Sequence, residues 1–174
     1  MHESIFRVGV TGHRDLSKFD AILLFERIAN ELLQLKEKKN RVQLICSIAA
    51  GADQLCAQIG LALGYELICP LPFQQYRNDF SGDELEVYDA LLKQASEWIV
   101  VADGLDRNAA YLSAGKHVVD HCDVLIAVWD GLPQQSSCGT EKIVTYAKER
   151  GVETHIIGGD VSSEALLKSS TNRI

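Results

Sequence analysis

No stretch of the 174-residue sequence approaches the roughly 18 apolar residues that span a bilayer, so no membrane segment is expected. The first residues, Met1-His2-Glu3-Ser4, carry neither a basic cluster nor an apolar core and do not read as a secretory signal; the expected compartment is the cytoplasm. Paired cysteines are missing too. The five present, Cys46, Cys56, Cys69, Cys122 and Cys138, are odd in number, form no CxxC and show no Cys/His ligand spacing. Neither a disulfide framework nor a metal site is expected. Positive charge is scarce, with 17 Lys and Arg against 24 Asp and Glu and a net charge of −7. A dedicated nucleic-acid binder needs a concentrated basic face, so nucleic acid is not expected as a partner. The nearest basic run, Lys36-Glu37-Lys38-Lys39-Asn40-Arg41, falls at a helix end, where cations complement the last carbonyls. Neither G-x-G-x-x-G nor G-x-x-x-x-G-K-[ST] occurs, which disfavours a dinucleotide oxidoreductase or a P-loop ATPase and leaves no cofactor indicated.

What the chain does contain is a regular alternation of strand and helix. Strands are predicted over 5–10, 42–48, 65–69, 98–101, 123–129 and 152–157. Between them, helical periodicity or capping signals mark 19–36, 53–63, 83–96, 109–121 and 141–150, with Asn108 as the cap of the fourth helix. Pro70 and Pro72 are read as the stop of the third strand. Strands apolar on both faces and separated by helices imply a parallel sheet covered on both sides. The expected fold is α/β: a single Rossmann-like three-layer domain over 1–158, its sheet mostly parallel and of about six strands, with a weakly specified tail over 159–174. In such folds ligands bind outside the carboxyl ends of the strands, so the loops there are where function is sought.

Two of those loops stand out. Gly12-His13-Arg14 follows the first strand. Gly12 permits an unusual turn, Arg14 can hold a phosphate or carboxylate with a bidentate fork, and His13 can donate to the same group or act as a base. The alternative is that Arg14 pairs with Asp15 or Asp53 and His13 faces solvent. Ser137-Cys138-Gly139-Thr140 precedes the last helix, whose N-terminus offers unpaired N–H groups and partial positive charge. The hydroxyls there either cap that helix or meet a ligand phosphate. Cys138 at a helix start can have a lowered pKa, but no partner base is evident. Gly51 with Asp53 gives tight packing and a carboxylate that either touches ribose hydroxyls or serves the helix start. Asp130-Gly131 follows the most sheet-like strand and reads as a site carboxylate or as a turn. Tyr76, Asp79 and Phe80 form a base-stacking lid or a packed loop.

In their order, Val8-Gly9-Val10-Thr11-Gly12-His13-Arg14, Ala49-Ala50-Gly51-Ala52-Asp53, Pro70-Leu71-Pro72-Phe73, the run from Asp123 to Gly131, and Gly139-Thr140 resemble the SLOG superfamily. This Rossmann-like nucleotide-binding group includes the DprA/Smf, YpsA and LOG (lysine-decarboxylase-like) proteins. The resemblance implies a nucleotide pocket whose lining matches Gly12, Arg14, Gly51, Asp130, Gly139 and Thr140. LOG relatives are phosphoribohydrolases with a P-G-G-x-G-T-x-x-E loop, but the glutamate slot holds Ile143, and Glu141 lies two residues away on another helix face. DprA-like relatives bind single-stranded DNA, which the acidic charge argues against carrying over. The resemblance further implies a homodimer and either an effector supplied by a separate partner or a metabolic ligand. Two functions are therefore expected to compete. One is a nucleotide- or phosphosugar-binding sensor whose ligand residues are Gly12, His13, Arg14, Gly51, Asp53, Asp130, Gly131, Ser137, Gly139 and Thr140. The other is a nucleotide N-glycoside hydrolase or transferase with Asp53, Asp130 or Glu141 as acid/base.

Overall fold

The computed structural model describes residues 4–158; the segment 159–174, expected to be a weakly specified tail, lies outside the described residues. Six strands and five α-helices alternate along it. They are β1 (Ile5–Gly12), α1 (Ala21–Lys36), β2 (Arg41–Ile45), α2 (Ala52–Ala62), β3 (Glu66–Leu71), α3 (Gly82–Gln94), β4 (Glu97–Val100), α4 (Arg107–Asp120), β5 (Val124–Val128), α5 (Thr140–Glu149) and β6 (Glu153–Ile157). A single turn of 3₁₀ helix, Tyr76–Asp79, precedes α3. Every strand pairing is parallel and the order is β4-β3-β2-β1-β5-β6. The chain winds outward from β1 to β4, then crosses back to lay β5 on the other side of β1.

Right-handed crossovers in opposite directions put helices on opposite faces of the sheet. Accordingly α1 packs on α2 and α2 on α3, whereas α4 packs on α5. β5 shows how one strand serves both layers. Val124, Ile126 and Val128 join the core under α1–α3, while Leu125 joins the core under α4 and α5. That alternation, with no exposed position, is what a central strand requires. The result is a Rossmann-like three-layer α/β domain with an all-parallel sheet.

Local sequence explains the element ends, with two departures from expectation. The Asp20 side chain accepts from Leu23 N–H to start α1, which buries Leu24, Ile28 and Leu32 at four-residue spacing. α4 is capped by Asp106, which accepts from Ala109 N–H at 3.1 Å, and not by Asn108, which sits inside the first turn. Pro70 does not stop β3; the strand runs on to Leu71, with Pro70 opposite Ile99 of β4. β2 ends at Ile45, so at that level it presents no ladder partner to miss the proline's absent N–H.

Candidate functional site

Where the winding reverses, between β1 and β5, the strand ends part and open a cleft of about 420 Å³. Its floor is built from two loops in backbone contact. Gly12 lies so close to α2 that a Cβ there would be 2.4 Å from that of Ala52. Gly51 adopts φ +81°, a left-handed conformation that glycine takes without strain, and Ala52 N–H donates to the His13 carbonyl at 3.0 Å. Earlier in the same β2–α2 loop, the buried Ile48 holds φ +49°, a costly conformation for a β-branched residue. Its N–H meets the Cys46 thiol at 3.4 Å, and that thiol donates to the Asp53 carbonyl at 3.4 Å. The surrounding packing therefore holds a strained backbone beneath the cleft.

One end of the cleft is rich in donors. Arg14 leans its guanidinium over the Tyr111 ring, 4.7 Å from the centroid. Among the described residues no carboxylate comes within ion-pair distance of it, so the alternative pairing with Asp15 or Asp53 is not formed. Desolvation pulls its pKa down, but Tyr76, Tyr111 and Asp53 raise it by more, and the group stays charged. Facing it is the N-terminus of α5, where Gly139 provides no side-chain cap. Thr140 is 5% exposed, and its hydroxyl has no hydrogen-bond partner among the described residues. That hydroxyl is open to an occupant of the cleft, which can supply the partner.

The other end carries a buried acid. Asp53 is 7% exposed, and desolvation raises its pKa to about 7 against the partial relief of the Ala49 N–H, Arg14 and Cys46. Its carboxylate accepts from that Ala49 N–H at 3.3 Å. Nearby, Ser47 lines the cleft with a hydroxyl that is buried and unpaired. Tyr76 and Tyr111 form an aromatic wall, their rings 6.2 Å apart. Burial pushes the Tyr76 phenol well above its usual pKa, so it remains a neutral donor. Behind the wall, Asp79 accepts from both Tyr111 and Arg107, and Phe80 stacks on Tyr88 at 4.5 Å. Asp79 and Phe80 thus brace the wall without entering the cleft.

The structure sorts the residues singled out from sequence. Gly12, His13, Arg14, Asp53, Gly139 and Thr140 line the cleft; Gly51, Asp130, Gly131, Ser137 and Glu141 do not. Asp130 accepts from Lys18, from Leu132 N–H at 3.1 Å and from His13 Nε2 at 3.1 Å. Burial raises its pKa, yet these donors outweigh burial and hold it at about 2. His13 is buried and its Nδ1 accepts from the Gln134 amide at 2.8 Å, which leaves Nε2 to donate to Asp130. Glu141 turns outward to accept from Gln134 N–H at 2.7 Å. Ile143, in the glutamate slot of LOG proteins, is buried against Gly115. Cys138 lines the cleft, with Ser136 Oγ at 3.5 Å and Asn108 Oδ1 at 3.8 Å as its sulfur contacts and no base among them. Ser47, Tyr111 and Gln134 were not anticipated. Ser47 is the first polar residue beyond β2, and Tyr111 opens the second turn of a helix at the carboxyl edge; either position was a usable signal. Nothing in the sequence marks Gln134.

Among the described residues, no three or more His, Cys, Asp or Glu side chains are grouped to hold a metal, and no helix is long and apolar enough to cross a membrane. Fold and cleft together define a Rossmann-like domain with an open cleft at its topological switch point. No protein-family model matches the sequence, and no curated protein matches it either. Solved structures do. The chain is similar to DNA processing protein A of Helicobacter pylori, which binds single-stranded DNA, with 15% identity and a TM-score of 0.60 over 94% of this chain and 73% of that one. It is similar to the Streptococcus pneumoniae DprA with 14% identity and a TM-score of 0.66, over 95% of this chain and 56% of that one. The molybdenum cofactor carrier protein of Chlamydomonas reinhardtii matches with 20% identity and a TM-score of 0.52, over 96% and 85% of the two chains. At such identities the likeness is one of fold alone, a Rossmann-like α/β fold. The chain spans little more than half of the pneumococcal protein.

Proposed function

We propose that the cleft binds a small phosphorylated ligand, a nucleotide or phosphosugar, and that the protein is a binding or sensing module of the SLOG type. One observation carries this reading: Arg14, a cation with no carboxylate partner among the described residues, shares the cleft with the unpaired Thr140 hydroxyl and with the α5 N-terminus, where Gly139 gives no cap and Gln134 Oε1 reaches Glu141 N–H only at 3.4 Å. A phosphate satisfies all three. Asp53 and Ser47 suit sugar hydroxyls, and the tyrosine wall suits a base. Two of the structural neighbours carry macromolecular or cofactor cargo, single-stranded DNA and the molybdenum cofactor respectively. The net charge of −7 favours a small anion in a local cationic pocket over a nucleic-acid strand. On this reading the protein works in the cytoplasm and passes its signal to a separate effector.

Calorimetric titration against nucleotides and sugar phosphates tests it. Arg14→Ala is expected to weaken binding by about 2 kcal/mol, or some 30-fold, the value of a charge-assisted hydrogen bond. Thr140→Val is expected to act in the same direction, and neither is expected to lower the melting temperature much. No detectable heat with any ligand of the panel sinks the reading.

A second reading rests on Asp53. A carboxyl with a pKa of about 7 inside the cleft can donate a proton to a leaving base or take one from water at neutral pH, as N-glycoside hydrolysis requires. Asp130 and Glu141, occupied elsewhere, leave it as the acid/base candidate. Incubation with nucleoside monophosphates, followed by chromatography for free base, decides the matter. Release abolished by Asp53→Asn establishes turnover; absence of release across the panel removes this reading and leaves binding.

A further inference from the structure

The end of the cleft that suits an anion already holds a side chain. Gln134, in the β5–α5 loop, is half-buried, and its amide oxygen lies against the first turn of α5, 3.4 Å from Glu141 N–H. It fills the space over Gly139 so closely that a Cβ there would be 2.3 Å from Gln134 Oε1. The same amide donates to His13 Nδ1 at 2.8 Å, and the Gln134 backbone N–H is held by Glu141 Oε2 at 2.7 Å. A carboxamide oxygen is thus the ligand of the helix N-terminus, at a long and weak distance.

We propose that Gln134 is a displaceable plug on the anion subsite, so that entry of a phosphate expels the amide and frees the 131–139 loop. The proposal rests on the binding reading above. Steric exclusion is the first reason. An atom seated against Gly139 on that side takes the position of Gln134 Oε1, so plug and phosphate are alternatives. Relative strength is the second. A phosphate oxygen at a helix N-terminus forms charge-assisted bonds and meets the helix dipole with full charge, whereas the amide offers a neutral oxygen at 3.4 Å. An anion therefore wins the exchange and a neutral ligand does not, which makes Gln134 a selector for phosphorylated over unphosphorylated forms of one compound. Movement follows. Once Gln134 leaves, the loop loses its side-chain ties to His13 and to the α5 N-terminus and keeps the Gln134 N–H bond to Glu141 and the Leu132 bonds to Asp130 and Trp129. The loop already exposes Leu132, whose carbonyl accepts from Trp129 Nε1 at 3.0 Å, so displacement alters both an exposed surface and a nearby indole.

Adenosine 5′-monophosphate and adenosine are the probes, in a Trp98→Phe background that leaves Trp129 as the reporter. In the parent protein the monophosphate changes Trp129 emission and adenosine does not. Gln134→Ala is expected to bind the monophosphate about tenfold tighter, the value of one surrendered hydrogen bond, with adenosine unchanged. It is also expected to show faster amide exchange over 131–139 before any ligand is added. Gln134→Glu tethers an anion at the same helix end and is expected to bind the monophosphate at least about tenfold more weakly. Weaker monophosphate binding by Gln134→Ala makes the residue a ligand contact and overturns the plug. If the parent binds and both variants match it, the plug alone is overturned; if neither parent nor Gln134→Ala binds the monophosphate, the plug is overturned and the binding reading is decided by the full ligand panel.

Discussion

A Cβ placed on Gly51 would lie 2.2 Å from the carbonyl oxygen of Arg14. The loop after β2 therefore sets the height of the loop after β1, and with it the position of the cation that the cleft offers a ligand. Gly51 does not line the cleft, yet the cleft depends on it.

Gly51→Ala tests that dependence. The new Cβ meets backbone in a conformation, φ +81°, that side chains rarely adopt. The combined strain and overpacking amount to about 3 kcal/mol, or roughly 6–12 °C in melting temperature. Phosphate-ligand affinity is expected to fall alongside. An unchanged melting temperature would show that the two loops are not packed in this way.

Asp53 gives the stability a pH dependence of unusual sign for a carboxyl. Its pKa rises from 3.8 to about 7 on folding, so the folded state holds the proton more tightly than the unfolded chain. Its contribution is intact below about pH 4, declines as pH rises through 7 and then levels off, a change on the order of 4 kcal/mol. Asp53→Asn is expected to melt higher than the parent at pH 8, with the gap narrowing steadily toward pH 4. Parallel melting curves across that range would mean that Asp53 ionises as an ordinary surface acid.

Asp130 has the opposite sign. With a pKa lowered from 3.8 to about 2, it stabilises the fold above pH 4, and that contribution is lost as pH falls through 2. At pH 7 Asp130→Asn is expected to cost about 1–2 kcal/mol, because Lys18 and the buried His13 lose an ionised acceptor. The difference between variant and parent closes between pH 4 and pH 2. A gap that persists at pH 2 would assign the loss to the turn at Leu132 and not to charge.

The contact between α4 and α5 beside the cleft is set by one small residue. A Cβ on Gly115 would sit 2.4 Å from Ile143 Cδ1. Gly115→Ala is expected to destabilise by about 1–3 kcal/mol through overpacking, and Ile143→Val, which removes that methyl, is expected to relieve it. Additive losses in the double variant would contradict the contact.

The fold was largely legible because each strand near the centre of the sheet is apolar enough to announce itself. Val124–Val128 has no polar residue to disguise it, and the helices between strands carry their own periodicity. Pro70 misled because a proline's missing N–H matters only where a neighbouring strand is present to need it. The cap of α4 went to Asp106 and not Asn108, since either satisfies the local rule and only the backbone geometry decides. The site was legible by halves. Gly12, Arg14 and Thr140 signal their chemistry by residue type and by standing after strands or before a helix. Asp130 carries an equally good signal but is bound to Lys18, a residue whose partnership depends on how two loops fold toward each other. Gln134 belongs to the cleft through backbone path alone, which no local pattern records.

The strand order has a consequence in time. β1 is a central strand, yet its neighbour β5 is synthesised long after β2, since Val8 pairs with Val124. A nascent chain that has produced β1 to β4 presents β1 as an open edge, apolar on both faces and able to recruit the wrong partner. Closure of that edge by residues 124–128 is the same event that creates the cleft, because the cleft is the gap between those two strands. The molecule thus acquires its cleft and covers an apolar strand edge in one step.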